Sequence, residues 1–378
     1  MLECACKGGA IAISIMRGIG PRLALAAMLG LLLSGCKTYP EPTLLPSAGP
    51  SPPADVINLY SALSAQNLPS AWPTGLFPGV SQPAAGYLPG KGVLLSVLPS
   101  RNGPADGLYF GEPATGSERL IVSITPGKHL DIATAAGVGL GGVAFQVGPE
   151  SGPRHAPVQL EPLTGGPARW LRLPQGDRGS IDTSFHFVGH ELVFLNTRTK
   201  GGNDLTSVVA CDLLTYACRD LYREASDRSS LDVIALGTGT GHAYLAIKPA
   251  DPGDPVQGEI IAVPLTGGRP RTLWRTPGVL TSVVRGSGGL AFTEDFGIDE
   301  GLYLREDRTM IRITAPGDYP SNPSFGDGYI TWWAQKPELL DLRTDHLYRI
   351  PGFMPELYGD LLTYVTPAGV RWIRLPPA

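Results

Sequence analysis

Short runs of aliphatic, β-branched and aromatic residues recur along this chain, and a glycine precedes each of the strongest runs. In each unit a leading run comes before the glycine, a second run follows it, and two more runs come after a variable loop. The interval between units is about 50 residues at first and shortens at the end. The seven glycines are Gly92, Gly142, Gly189, Gly241, Gly289, Gly328 and Gly359.

This period predicts an all-β fold, a β-propeller of four-stranded antiparallel blades. We predict seven blades, and six or eight stay open as alternatives because the short last intervals are hard to count. The predicted propeller covers residues 56–378. The last unit, 354–378, supplies only three strands, and a propeller must close its ring or leave an edge exposed. We therefore expect a segment within 54–87 to complete the last blade, with DVINLYS at 55–61 as the best candidate or, alternatively, as a short helix on the rim.

The sequence PLTGG occurs twice, at 162–166 and at 264–268, and runs of strand character flank both copies. Its glycines suit the positive backbone angle φ of a tight turn, which glycine adopts at little cost. We interpret PLTGG as the turn of a recurring hairpin between the third and fourth strands of a blade, and not as a binding motif.

One unit resembles a known family. The segment PSFGDG at 323–328 precedes an apolar strand and is similar to the repeat of TolB-type propellers, a WD-repeat-like architecture. The resemblance supports the fold over roughly residues 75–378. It implies partners among envelope lipoproteins and membrane-complex subunits, although this chain departs from the family by carrying its own predicted anchor and no N-terminal α/β domain.

The N-terminus has the features of an export signal. Arg17 and Arg22 are followed by an apolar run at 23–33 that is too short for a comfortable membrane span. The run ends in LSGC at 33–36, which resembles the lipobox of bacterial lipoproteins. We predict a signal peptide at 1–35, with Met16 as the true start, and lipidation of Cys36; a plain secretory peptide or a buried helix are the alternatives.

Lipidation would place the protein at the cell envelope. Acyl chains on Cys36 would hold it to the lipid bilayer. In lipoproteins of Gram-negative bacteria an aspartate after the cysteine is linked with inner-membrane retention, and Lys37 resembles outer-membrane sorting instead. We expect an outer-membrane protein that faces the periplasm or the cell surface. The proline-rich residues 36–55 would form a stiff tether.

The amino-acid composition fits an all-β protein and argues against nucleic-acid binding. The 49 glycines and 37 prolines fit many short strands joined by turns. The net charge is −4, and no long basic run follows the N-terminal signal, so we expect no nucleic-acid partner.

Cys211 and Cys218 flank a predicted hairpin turn and can face each other across it, which predicts a disulfide in an exported protein; two buried or free thiols are the alternative.

The sequence contains no convincing catalytic set. His186 and His190 flank a turn rather than one helix face, and the acidic stretch 293–301 is interpreted as a solvated loop, so we predict no metal and no cofactor. Trp332 and Trp333 are neighbours on a strand and point to opposite faces. Packing on both sides is the default, with Trp332, Trp333 and Tyr319 as possible partner-binding aromatics.

We therefore expect a monomeric, lipid-anchored propeller that serves as a platform for an envelope or membrane-associated protein, without catalysis of its own. One alternative is a lyase or hydrolase that acts through polar residues at the central channel of the propeller. A lipoprotein that binds glycans or cell-wall polymers is the other.

Overall fold

The computed structural model describes most of the chain after residue 55. The described residues are 56–80, 84–97, 107–123, 131–139, 142–149, 158–174, 180–181, 185–200, 203–223, 231–239, 241–249, 258–276, 278–286, 289–295, 300–306 and 309–377. The predicted signal peptide, Cys36 and the predicted tether lie outside them. Among the described residues, no helix is both long enough and apolar enough to cross a bilayer.

The fold is a β-propeller of seven blades, as the sequence predicts. Each blade has an inner, a second, a third and an outer strand, hydrogen-bonded in that order. Blade 1 is formed by Ala84–Leu88, Gly92–Val97, Gly107–Glu112 and Ser117–Ser123. Blade 2 is formed by Asp131–Gly139, Gly142–Pro149, Gln159–Pro162 and Arg169–Trp170. Blade 3 is formed by Ser180–Ile181 together with His186–Val188, then Glu191–Lys200, Asn203–Asp212 and Cys218–Arg223.

The remaining blades follow the same order. Blade 4 is formed by Leu231–Gly239, His242–Pro249, Gly258–Pro264 and Arg271–Thr276. Blade 5 is formed by Val279–Gly286, Gly289–Asp295, Gly301–Glu306 and Thr309–Arg312. Blade 6 is formed by Ser321–Phe325, Tyr329–Trp333, Glu338–Asp341 and His346–Arg349. Blade 7 is formed by Phe353–Tyr358, Leu361–Thr366, Gly369–Arg374 and Thr74–Pro78.

The N-terminal segment pairs in turn with each of the last three blades, at the outer side of the propeller. Val56–Asn58 pairs in parallel with the outer strand of blade 5, and Gln66–Asn67 pairs in parallel with that of blade 6. Thr74–Pro78 then supplies the missing fourth strand of blade 7, antiparallel to Gly369–Arg374. The choice of DVINLYS for this place is therefore wrong: part of it forms the blade 5 edge strand, and the 3-10 helix Leu59–Ser61 follows.

The hydrophobic core is a ring of interfaces between blades. Buried apolar residues of the described chain fall into seven clusters, and each cluster joins two neighbouring blades. This arrangement follows from strands whose faces both carry apolar side chains, because each sheet is packed on both sides. Phe77 of the N-terminal strand Thr74–Pro78 belongs to the cluster between blades 7 and 1. This strand therefore packs against blade 1 while it completes blade 7, and so closes the ring.

The PLTGG repeat has a structural use in both copies. Gly165 and Gly166 have φ of 82° and 131°, and Gly267 and Gly268 have φ of 85° and 129°, which confirms the predicted turn. In each copy the leucine carbonyl also accepts a hydrogen bond from an arginine of the preceding blade. The pairs are Arg119 with Leu163 at 3.2 Å and Arg219 with Leu265 at 2.7 Å. The repeated turn therefore also clamps one blade to the next.

The predicted disulfide is confirmed in blade 3. Cys211 is the penultimate residue of the third strand, and Cys218 begins the outer strand directly opposite it, with 4.0 Å between the two Cα atoms. Cys211 is buried in the cluster between blades 2 and 3. The bond therefore closes the hairpin at the point where it packs on its neighbour.

Replacing both cysteines by alanine is expected to lower the free energy of unfolding by about 2–3 kcal/mol, because the crosslink restricts the unfolded chain. Urea denaturation with and without reductant checks this. Reductant should destabilise the native protein by a similar amount and leave the double variant unchanged. An equal effect of reductant on both proteins would contradict the stabilising role of this bond.

Candidate functional site

The structure separates the two adjacent tryptophans that the sequence proposes for partner binding. Trp332 is 1% exposed and packs in the cluster between blades 5 and 6, so a partner has no access to its indole and that proposal is withdrawn. Trp333 points to the other face of the strand. Its indole Nε1 donates to the Pro355 carbonyl at 3.1 Å, which links blade 6 to the inner strand of blade 7.

Three exposed apolar residues lie at the same end of blades 6 and 7 as this link. Tyr319 is 63%, Phe353 51% and Met354 39% exposed. Tyr319 lies two residues before the inner strand of blade 6, whose Ser321 pairs with Trp333. Phe353 and Met354 begin the inner strand of blade 7. We call Tyr319, Trp333, Phe353 and Met354 the aromatic rim, since all four lie at the same end of two neighbouring blades.

Two residues of the aromatic rim have strained backbones. Tyr319 has φ of 45° and Met354 has φ of 51°, in the left-handed region that side chains with a Cβ rarely adopt. Such a conformation costs about 1–2 kcal/mol per residue, so the surrounding structure must hold it. The rim is therefore an exposed apolar surface fixed by backbone geometry, and strain of this kind is concentrated at functional sites.

A desolvated carboxyl lies beside the rim. Glu356 follows a register shift in the inner strand of blade 7, and its carboxyl hydrogen-bonds with the side chains of Trp333 and Ser324. Burial raises its pKa from 4.5 to about 8, although these hydrogen bonds act in the opposite direction. The residue as a whole keeps partial exposure. At neutral pH the carboxyl is mostly protonated and can donate a hydrogen bond.

Glu356 is one of three polar residues at equivalent positions of neighbouring inner strands. Ser282, Ser324 and Glu356 each follow a register shift in the inner strand of blade 5, 6 or 7, and each pairs with a threonine of the second strand. Thr363, opposite Glu356, is buried and its hydroxyl has no hydrogen-bond partner within the described chain. The inner strands of blades 5, 6 and 7 therefore carry a polar residue at the same place in each blade, opposite a threonine.

Two other ionisable groups of the inner strands are also neutral near pH 7, and one of them, Tyr358, lies near Glu356. Tyr358 donates to the Ala84 carbonyl at 2.6 Å and so joins blade 7 to blade 1. Burial and the nearby Glu356 raise the pKa of Tyr358 well above its usual value. On blade 3, burial lowers the pKa of His186 to about 4. These groups suit hydrogen bonding better than proton exchange near neutral pH.

One residue and one stretch differ here from what the sequence predicts. Glu356 is not among the site residues predicted from the sequence, and its only signal is a glutamate in an otherwise apolar strand. The acidic stretch 293–301 is not simply a solvated loop, because Thr293 and Glu294 are buried at the end of a strand, where Thr276 donates to Glu294. Residues 296–299 lie outside the described chain. No group of three metal-ligating side chains occurs among the residues described.

Comparisons with known proteins show the fold. No protein-family model matches this chain, and no curated protein matches it. The chain is similar to oligogalacturonate lyase from Vibrio parahaemolyticus, at 9% identity and a TM-score of 0.55 over 82% of this chain and 92% of that one. It is also similar to a Mycobacterium tuberculosis puromycin-hydrolysing peptidase, at 12% identity and a TM-score of 0.52 over 79% of this chain and 52% of that one. This chain therefore spans about half the length of that peptidase.

TolB from Acinetobacter baumannii is a further neighbour, at 11% identity and a TM-score of 0.45 over 76% of this chain and 78% of that one. At such identities a likeness carries the architecture and leaves the activity undetermined. The chain is thus a β-propeller, a fold that it shares with the lyase and the peptidase described above.

Proposed function

We propose that this protein is a lipid-anchored β-propeller of the cell envelope that binds a protein partner and performs no catalysis of its own. The observation that supports this is the aromatic rim. Exposed aromatic and methionine side chains are enriched at protein interfaces, and here the backbone fixes them in place before any partner arrives. The partner is an envelope or membrane-associated protein with an apolar contact surface, and the propeller acts as a monomer.

The predicted anchor would strengthen such binding. Acyl chains on Cys36 would hold the propeller at the bilayer, most readily the outer membrane on its periplasmic or surface side. If the proline-rich residues 37–55 are extended, they reach about 60 Å. The tether would thereby raise the local concentration of the rim around membrane-associated partners. The Cys211–Cys218 disulfide is consistent with an oxidising compartment of this kind.

Two alternatives keep a structural basis. The neutral carboxyl of Glu356 could serve as an acid in a lyase or hydrolase at the central channel, but among the described residues no activated nucleophile accompanies it. The aromatic rim could also stack on sugar rings of a glycan or a cell-wall polymer. Protein binding is the better fit because the Phe353 side chain has no hydrogen-bonding group for a sugar and the Met354 thioether is only a weak acceptor.

Replacing Tyr319 and Phe353 together by serine is expected to abolish capture of the partner. The measurement is crosslinking of the lipidated protein in intact cells, followed by mass spectrometry. The native protein should recover one or two specific envelope proteins, and the double variant should lose them while remaining folded and at the membrane.

The matched control is Leu214→Ser, which removes a 70% exposed apolar side chain from a turn of blade 3. This variant should capture the same proteins as the native chain. If the rim variant and the control capture partners equally well, the rim is not the binding surface. A Cys36→Ser variant tests the anchor separately, because it should release the protein from the membrane fraction.

A further inference from the structure

A second recognition feature lies at the opposite end of the propeller from the aromatic rim. A cleft of about 320 Å³ opens between blades 4 and 5. Four arginines line it, together with a histidine, a tyrosine and apolar residues. The arginines are Arg269, Arg271, Arg285 and Arg305. Among the residues that the structure describes, no aspartate or glutamate lines the cleft. Its volume is near the lower limit of the roughly 300–1,000 Å³ typical of small-molecule sites.

The walls of the cleft are two rows of side chains on facing blades. On blade 4, Tyr244 pairs with Ala262 across the sheet, and Ala262 pairs with Arg271. Residues directly opposite one another on antiparallel strands share a face, so Arg271 lies on the same side as Tyr244.

On blade 5 the equivalent row is Arg285, Leu290 and Arg305. Leu290 and Tyr244 both contribute to the cluster between blades 4 and 5, so the two rows face each other. Gly239 leaves room for one arginine, because a Cβ there would lie 2.6 Å from Arg285 Cγ.

The segment that follows the second PLTGG turn supplies two of the four arginines of this cleft. Pro264 lines the cleft, and the residues after the turn supply Arg269 and Arg271. In the first copy, position 167 holds proline instead of arginine, and Arg169 stacks on the Tyr216 ring at 4.5 Å. The arginine that follows the first copy, in blade 2, therefore packs on an aromatic ring of blade 3. The two arginines that follow the second copy, in blade 4, line an open cleft instead.

Three of the four arginines have no carboxylate partner among the described residues. Arg269, Arg271 and Arg285 take part in none of the ion pairs found there. Arg305 donates to the Leu273 carbonyl of blade 4. Guanidinium groups stay protonated at any physiological pH. Their mutual repulsion is a cost that a bound anion would relieve.

We propose that this cleft binds a phosphate group carried by a small organic molecule or a lipid headgroup. Planar guanidinium groups bind phosphate oxygens in pairs, and several fixed positive charges match a multiply charged anion better than a single carboxylate. The His242 and Tyr244 rings, with centroids 6.2 Å apart, form an aromatic wall for the organic part of the ligand. This site is independent of the proposed partner surface, since the two lie at opposite ends of the propeller.

Calorimetric titration at low salt with pyrophosphate tests the site, because this probe supplies phosphate charge without an organic part. Vesicles that contain phosphatidic acid, presented to a Cys36→Ser protein without acyl chains, test the lipid source. In both assays Arg271→Gln combined with Arg285→Gln should weaken binding by about 100-fold, since two charge-assisted hydrogen-bonding groups are lost from opposite walls.

The matched control combines Arg172→Gln with Arg371→Gln, two exposed arginines outside the cleft. It removes the same total charge and should leave the dissociation constant within a factor of two to three of the native value, the effect of net charge alone. Loss of pyrophosphate binding or vesicle binding only in the cleft variant supports the proposal and identifies the source. Absence of both kinds of binding to the folded native protein, or equal weakening by both double variants, overturns it.

Discussion

Phe77→Ala is expected to lower the free energy of unfolding by about 3–5 kcal/mol, the usual effect of removing a fully buried phenylalanine. Phe77 is 0% exposed and lies in the cluster between blades 7 and 1. Its ring packs on Gly111 of blade 1, where a Cβ would come within 2.6 Å of the phenylalanine ring. The substitution therefore opens a cavity at the point where the N-terminal strand closes the ring.

Urea denaturation followed by tryptophan fluorescence measures this effect. Leu76→Ala is the matched control, because Leu76 is the preceding residue of the same strand and is only partly buried. We expect it to cost about 1 kcal/mol, as less apolar surface is lost. Equal losses from the two substitutions would show that the strand contributes only its backbone pairing, and that the ring is closed elsewhere.

The repeat pattern was sufficient to predict the architecture. Each of the seven glycines begins a second strand or lies one or two residues before it, because a turn at that place needs a residue without a side chain or with positive φ. The three-stranded last unit also indicated that a strand must come from the N-terminus. The sequence did not identify which strand, since both 55–61 and 74–78 contain apolar residues at strand spacing. The fit of Phe77 against Gly111 is a tertiary contact, and no local pattern reports it.

The functional features depend even more on tertiary structure. Alternation along a strand placed Trp332 and Trp333 on opposite faces, but only packing decides which of them is buried. The pKa of Glu356 is raised by burial, which only tertiary packing produces, and is lowered to a smaller extent by the blade 6 side chains of Trp333 and Ser324. The arginine-lined cleft arises where two cross-strand rows from different blades face each other. Without the three-dimensional structure, nothing in the sequence groups Arg271 with Arg285 or Arg305.

The raised pKa of Glu356 predicts that the protein loses stability as pH rises. The unfolded carboxyl titrates near 4.5 and the folded one at about 8. Between these values the folded state holds one more proton than the unfolded state, so the free energy of unfolding falls with increasing pH. The slope from this group is at most about 1.4 kcal/mol per pH unit. The contribution is complete below pH 4.5, and its loss is complete above about pH 8.

Glu356→Gln should remove this dependence, because the amide has nearly the same shape and stays neutral at every pH. We expect the variant to match the native protein in thermal stability near pH 5 and to exceed it by a few kcal/mol near pH 9. Glu306→Gln, at an exposed position of blade 5, is the control and should follow the native curve throughout. If the native and Glu356→Gln proteins lose stability in parallel as pH rises, the carboxyl is ionised in the folded state. The Glu356 carboxylate would then only accept hydrogen bonds and could donate none. Parallel curves would also remove the neutral acid on which the channel-enzyme alternative depends.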